Sequence, residues 1–235
     1  MKTYSYMDML AAFKINFAHP GGGTLTNKLL EDLTIDSKSR VLDAGCGTGE
    51  TARIIANTFH CAVDAIDAHS AMAEEAVKRS ENNKKVNVQE ASVENLPFQS
   101  DTFDLVLSES VLAFTDRKAA LKELHRVLKK GGCLLINEMS VIHPIEDKER
   151  EKIQSFYGAS SLFTVNDWIN AIRGASFKHI ELIEAKETGA YNEEEMDIPI
   201  PVNAEAALLD VLDAHMELTD RNRDKIGHAV ILCQK

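Results

Sequence analysis

Apolar residues recur along this chain in two rhythms, roughly every fourth position and in short continuous runs, and the two alternate for most of its length. Met7, Leu10, Phe13 and Phe17 fall at helical spacing and predict an amphipathic helix near residues 2–17. His19-Pro20-Gly21-Gly22-Gly23 breaks it, and Thr24 or Thr26 is placed to cap a second helix carrying Leu29, Leu30 and Leu33. A short apolar strand from Arg40 to Ala44 runs into a glycine-rich loop, followed by a helix through Ala52, Ile54, Ile55 and Ala56. A second strand, Ala62 to Ile66, is ended by Asp67, and a helix from Ser70 to about Ser80 places Met72, Ala73 and Ala76 on one side. Strands at Lys85–Gln89 and Phe103–Leu107 flank the loop Asn95-Leu96-Pro97-Phe98. Leu121, Leu124, Val127 and Leu128 line one face of a helix from Asp116 to Lys129, which Gly131-Gly132 is expected to stop before a strand from Cys133 to Asn137.

The second half is less regular. Helices are expected near 146–157 and from Thr164, where Thr164 and Asp167 can form a capping box. A strand from Lys178 to Ile183 precedes an irregular insertion at 188–203 with Pro199 and Pro201. A helix from about Ala204 to Arg223 leads to a last strand, His228 to Cys233. Alternation of this kind gives a doubly wound α/β sheet, its strands parallel and helices on both faces.

The 235 residues suit one domain, divided into an N-terminal helical segment (1–37), a core (38–139) and a second half (140–235), with 140–175 and 188–226 as cap insertions. No run of 18 apolar residues is present, so no transmembrane helix is expected. Met1 to Lys14 carries Asp8 and lacks the features of a secretory signal, so a cytoplasmic location is expected. Cys46, Cys61, Cys133 and Cys233 lie far apart, which argues against a disulfide framework or a zinc site, and no metal is expected. The net charge of −11 is concentrated: residues 181–220 hold twelve acids and one base, Lys186. Such a surface repels polyphosphate and makes nucleic acid a poor partner.

Asp43-Ala44-Gly45-Cys46-Gly47-Thr48-Gly49 follows a buried strand and opens a helix. In an open parallel sheet, ligands bind beyond the carboxyl ends of the strands, where glycine lets the backbone approach closely. Asp67, ending the next strand, can accept two hydrogen bonds from a ribose diol, so the pair points to an adenosine-type ligand. The spacing is G-x-G-x-G rather than the G-x-G-x-x-G that seats a pyrophosphate. The carboxylate of Asp43 would repel a pyrophosphate and suits a cationic amino-acid end.

These residues resemble the first two motifs of the class I S-adenosylmethionine (SAM)-dependent methyltransferases: Val41 to Gly49, and Ala65-Ile66-Asp67-Ala68-His69-Ser70-Ala71-Met72. Glu94-Asn95-Leu96-Pro97-Phe98, the segment Ser100 to Ser108, and Leu121 to Gly132 resemble the later motifs, so the likeness spans roughly residues 38–139. It implies a Rossmann-like doubly wound seven-stranded sheet, mostly parallel, with an antiparallel last strand. It implies SAM as cofactor, with Asp43, Ala44, Gly45, Cys46, Gly47 and Gly49 around the methionine moiety and ribose. Asp67 would take the ribose hydroxyls, Ala68 and Met72 would flank the adenine, and Ser108 and Glu109 would face the methyl group and acceptor. Many relatives carry an acid just before the Glu94–Phe98 stretch; here Ala91-Ser92-Val93 stands there, so Ser92 and the Val93 amide are the adenine candidates.

Methyl transfer from a sulfonium is an in-line displacement that asks for alignment and exclusion of water, with a base only where the acceptor must lose a proton. Glu109 is the first candidate beside the acceptor; Glu138, His143, Tyr157, Tyr4, Tyr6 and His19 are further ones. Basic clusters with interleaved aromatics are missing, which speaks against nucleic acid and favours a small-molecule acceptor; no membrane partner is expected. Two other readings stay open: a non-catalytic SAM-binding or interaction protein on the same fold, and, with less support, an NAD(P)-dependent oxidoreductase.

Overall fold

The computed structural model describes residues 3–188 and 198–235. Two N-terminal helices, α1 (Tyr6–Phe13) and α2 (Gly22–Glu31), precede the alternating unit β1 (Arg40–Ala44), α3 (Glu50–Phe59), β2 (Ala62–Asp67), α4 (Ser70–Ser80), β3 (Val86–Glu90), β4 (Phe103–Glu109), α5 (Arg117–Val127) and β5 (Leu128–Val141). Then follow α6 (Asp147–Tyr157), α7 (Val165–Gly174), β6 (Lys178–Glu187), α8 (Ala206–Arg221) and β7 (Ile226–Gln234). The insertion expected at 188–203 lies partly outside the described residues.

The seven strands form one sheet in the order β3-β2-β1-β4-β5-β7-β6. β1 pairs in parallel with β2 on one side and β4 on the other, while β7 runs antiparallel between β5 and β6. The order reverses at β1 and β4, so their crossovers leave in opposite directions and open a crevice at their carboxyl ends.

Side-chain alternation builds a core on each face. On one, Leu42, Ala44, Val106 and Ile136 pack with α5 and with Trp168 and Ile172 of α7. On the other, Val41, Val63, Leu105 and Leu107 pack with Ile55 and Ala56 of α3 and Leu29 of α2. A third cluster joins α1 to α8 through Met9, Phe13, Leu208 and Leu212, and reaches Met72 of α4. Ser5 and Asp8 form a capping box that starts α1, and Thr164 and Asp167 form the expected one on α7.

Two local expectations are corrected. Neither Thr24 nor Thr26 caps α2; the helix starts earlier, after Gly21 in the left-handed region (φ 81°). Thr26 therefore lies inside the helix, with its hydroxyl turned toward the sheet. Nor does Gly131-Gly132 stop α5. Leu128 already leaves the helix with extended backbone and pairs with Phe103 as the first residue of β5. A buried apolar side chain drawn into the sheet outcompetes helix continuation here.

Trp168 anchors α7 to the sheet, fully buried, with its indole N–H donating to the Met139 carbonyl at 3.1 Å. Trp168→Ala is expected to lower the unfolding free energy by roughly 3–5 kcal/mol. Urea titration should show the midpoint falling with an unchanged slope.

Candidate functional site

Carboxylates stand toward the carboxyl ends of four neighbouring strands: Asp43 on β1, Asp67 on β2, Glu109 on β4 and Glu138 on β5. Each meets a different surrounding.

Asp67 braces the glycine loop. Its two oxygens accept the Gly47 N–H at 2.9 Å and the His69 N–H at 2.8 Å. The Gly45 and Cys46 N–H groups both donate to the Ile66 carbonyl at 2.8 Å, so the loop is tied to the end of β2. Gly47 takes φ 52°, and a side chain there would project into open space beside the cavity. Burial raises the Asp67 carboxyl, opposed by those two N–H groups.

Asp43 is buried, and its Oδ2 has no hydrogen-bond partner among the described residues. Burial, then the charges of Glu109 and Asp67, push its carboxyl up to about 8. An unpaired acid in this position fits a cationic ligand group.

Glu109 is held from three elements. Thr26 of α2 donates to Oε1 at 2.8 Å, Thr51 of α3 donates to Oε2 at 3.3 Å, and His19 Nε2 lies 3.6 Å from Oε2. Asn137 Nδ2 donates to the Pro20 carbonyl at 3.0 Å, which fastens the same N-terminal turn to β5. Asn16 reaches over the glycine loop and accepts from the Thr48 hydroxyl at 2.7 Å and from Arg79.

Glu138 is fully buried and does not line the cavity. It accepts the N–H groups of Val111 (2.9 Å), Leu112 (2.8 Å) and Ala113 (3.2 Å), which sets the turn after β4 and seats Val111 against Gly45. Burial pushes its carboxyl up to about 7 against those donors. It holds the turn after β4 from within the core, away from the cavity lining.

One cavity of about 1010 Å³ runs from the glycine loop to the underside of α1, α6 and α8. Asp43, Gly45, Cys46, Gly47, Asp67, Ala68, Met72, Ser92, Val93 and Glu109 line it. Ala44, Gly49 and Ser108 do not. The Ala44 methyl points into the core, Gly49 precedes α3 where a Cβ would stand 2.9 Å from that of Ala76, and Ser108 is fully buried on the strand face opposite Glu109. Of the further candidates, Tyr6, Tyr157 and His19 line the cavity. Tyr4 bonds to Glu205, and His143 pairs with Glu187 at 2.9 Å on the surface. Sequence reasoning missed Thr26, Thr51, Asn137 and His215. The available signal was faint: Thr26 and Thr51 are hydroxyl residues on otherwise apolar buried helix faces.

A sheet with this crevice, closed by a glycine loop and a strand-end acid, is the arrangement of nucleoside-binding α/β folds. Residues 42–136 match the family model of a methyltransferase domain. An uncharacterized methyltransferase of Bacillus subtilis strain 168, YodH, is 30% identical over 231 residues, covering 98% of this chain and 99% of its own. The chain belongs to the class I SAM-dependent methyltransferases. Demethylmenaquinone methyltransferase of Thermotoga maritima is 32% identical over 140 residues, 58% of this chain and 59% of that one. Among solved structures, phosphoethanolamine N-methyltransferase 2 of Haemonchus contortus, in complex with phosphomonomethylethanolamine and S-adenosylhomocysteine, shares the fold. Its TM-score is 0.80 at 20% identity, over 99% of this chain and 60% of that one.

The proton on Asp43 gives a pH signature. Folded Asp43 titrates near 8, and an aspartate in the unfolded chain near ~3.9. Between these values the folded state holds a proton that the unfolded chain has released, so stability falls as pH rises through the window. Asp43→Asn removes that contribution. Thermal melting is expected to show the variant gaining on the wild type from about pH 5 to about pH 8.

Proposed function

We propose that this enzyme transfers the methyl group of SAM to a small-molecule acceptor by in-line displacement. One observation carries the reading: the glycine-loop crevice and an apolar chamber under three helices are a single continuous cavity. Its volume lies at the upper end of ligand pockets, with room for a cofactor and an acceptor together.

SAM brings a sulfonium-activated methyl group, and the chain's own residues supply position and surroundings. Asp67 retains acceptor capacity beyond its two backbone donors, and takes the ribose hydroxyls. Asp43 faces the cationic amino-acid end and offsets its charge. Gly45, Cys46 and Gly47 give backbone approach along the methionine moiety and ribose. Ala68 and Met72 flank the adenine, whose polar edge meets Ser92 and the Val93 amide.

Glu109 lines the same cavity, clamped by Thr26 and Thr51 with His19 beside it. Held in this way it can orient the nucleophilic atom of the acceptor, or take its proton, with little reorganisation. The apolar side chains of α1 and α8 over the chamber exclude water from the transfer. The acids on the cavity wall and the acidic segment around α8 agree with an acceptor that is not a nucleic acid.

Incubation of a metabolite extract with methyl-labelled SAM should yield a labelled small molecule, detected by mass spectrometry. Label confined to protein or nucleic acid would overturn the reading. In calorimetric titration, Asp67→Ala is expected to weaken SAM binding about tenfold or more, the scale of losing charge-assisted hydrogen bonds. Unchanged affinity would remove Asp67 from the cofactor site. Glu109→Gln is expected to lower turnover more than it lowers SAM affinity; equal turnover would relieve Glu109 of any part in the transfer.

A further inference from the structure

Three aromatic side chains far apart in sequence converge on the roof of the cavity: Tyr6 from α1, Tyr157 from the end of α6 and His215 from α8. The ring centroids of Tyr6 and Tyr157 are 4.9 Å apart, edge to face, and those of Tyr6 and His215 are 5.0 Å apart. Phe156 backs them, 4.9 Å from Tyr157. Apolar packing alone would not call for a phenol and an imidazole here, because buried polar groups cost free energy unless bonded.

Tyr157 Oη lies 2.9 Å from His215 Nδ1, and the Thr219 side chain neighbours the Tyr157 oxygen and eases its phenol downward against burial. With the phenol hydrogen directed at Nδ1, the imidazole carries its own hydrogen on Nε2. His215 Nε2 and Tyr6 Oη have no hydrogen-bond partner among the described residues, and both residues line the cavity. The roof thus offers one N–H donor and one hydroxyl, side by side, in a largely apolar chamber.

The roof pair itself carries no charge. Burial lowers His215 to about 4, so it is neutral at physiological pH. Arg223 on the lining stands against Asp220 at 3.4 Å, and Glu217 of α8, also on the lining, pairs with Arg221 at 2.7 Å. Asp43 and Glu109 line the cavity as well. An anionic acceptor meets these acids and finds no dedicated cation, and an ammonium group turns toward the acids rather than toward the N–H donor of the roof pair.

We propose that the roof of the cavity is the specificity site of the acceptor chamber, where His215 and Tyr6, set by Tyr157, hydrogen-bond a neutral hydroxyl or carbonyl group on a planar, largely apolar acceptor. Aromatic walls favour a flat ring in edge and face contacts. The consequence for substrate choice rests on the methyltransferase reading of the same cavity; the binding preference itself does not.

The test uses three fluorescent probes of one shape: naphthol, naphthyl phosphate and naphthylmethylamine. The protein is first titrated with S-adenosylhomocysteine and then, saturated with it, with each probe. Naphthol is expected to bind about tenfold more tightly than either charged probe, the scale set by desolvating an unpaired charge. Tyr157→Phe keeps the ring packing and is expected to weaken naphthol about fivefold, the scale of one hydrogen bond. Its melting temperature and cofactor-product affinity should stay close to wild type. His215→Phe is expected to weaken naphthol similarly. A charged probe binding as tightly as naphthol, no binding of naphthol, or both variants binding it as the wild type does would overturn the proposal. Failure of S-adenosylhomocysteine to bind would instead sink the methyltransferase reading, while the order of the three probes on the free protein would still decide the roof site.

Discussion

Four strands deliver a carboxylate each to one edge of the sheet, and the site depends on how those charges are met. Glu138 is met by three backbone N–H groups and Asp67 by two. Two threonine hydroxyls and a histidine surround Glu109. Asp43, between them, keeps one oxygen without a partner among the described residues. Like charges gathered in low dielectric repel, and without a counter-ion a buried acid retains its proton. The edge is therefore electrostatically incomplete at one defined point, where a bound cation would complete it.

The same carboxylates organise the backbone. Asp67 holds the glycine loop against β2, and Glu138 holds the turn after β4, whose Val111 packs on Gly45 from the other side. The loop is thus fixed from two strands that are not its own. Glu109 performs the matching task for the N-terminal segment: through Thr26 and His19 it ties α2 and the preceding turn to the sheet edge. Asn16 adds a contact to Thr48 inside the loop. The crevice and the N-terminal segment thus share anchoring groups at the sheet edge.

The strands, and the parallel core they build, were legible in the sequence because both periodicities are local and strong. β1, β2 and α4 lie at or within a residue of their expected ends, and the Thr164 capping box stands as read. The glycine loop and Asp67 were legible too, since their chemistry sits next to the strands that carry it. What escaped was set by contacts between distant segments. Thr26 reads as a helix cap until the left-handed Gly21 starts the helix early. Glu138 reads as a site acid until three N–H groups from the turn after β4 surround it. His215 sits in an unremarkable amphipathic helix, and only the meeting of α1, α6 and α8 gives it Tyr157 as partner.

The cavity separates its two tasks by polarity. At the sheet edge, acids and backbone donors suit a ligand rich in hydroxyl groups and positive charge. Under the helices, rings and methionines surround a neutral hydrogen-bonding pair, with Glu217, Asp220 and Arg223 also on the lining. A methyl donor that is a cation gains from the first environment, and dispersing its positive charge is favoured where water is excluded. Glu109 lines the cavity from the sheet edge. Its clamp comes from α2, α3 and the turn that carries His19, whereas α1, α6 and α8 cover the chamber, so the two environments are built by different elements of the chain.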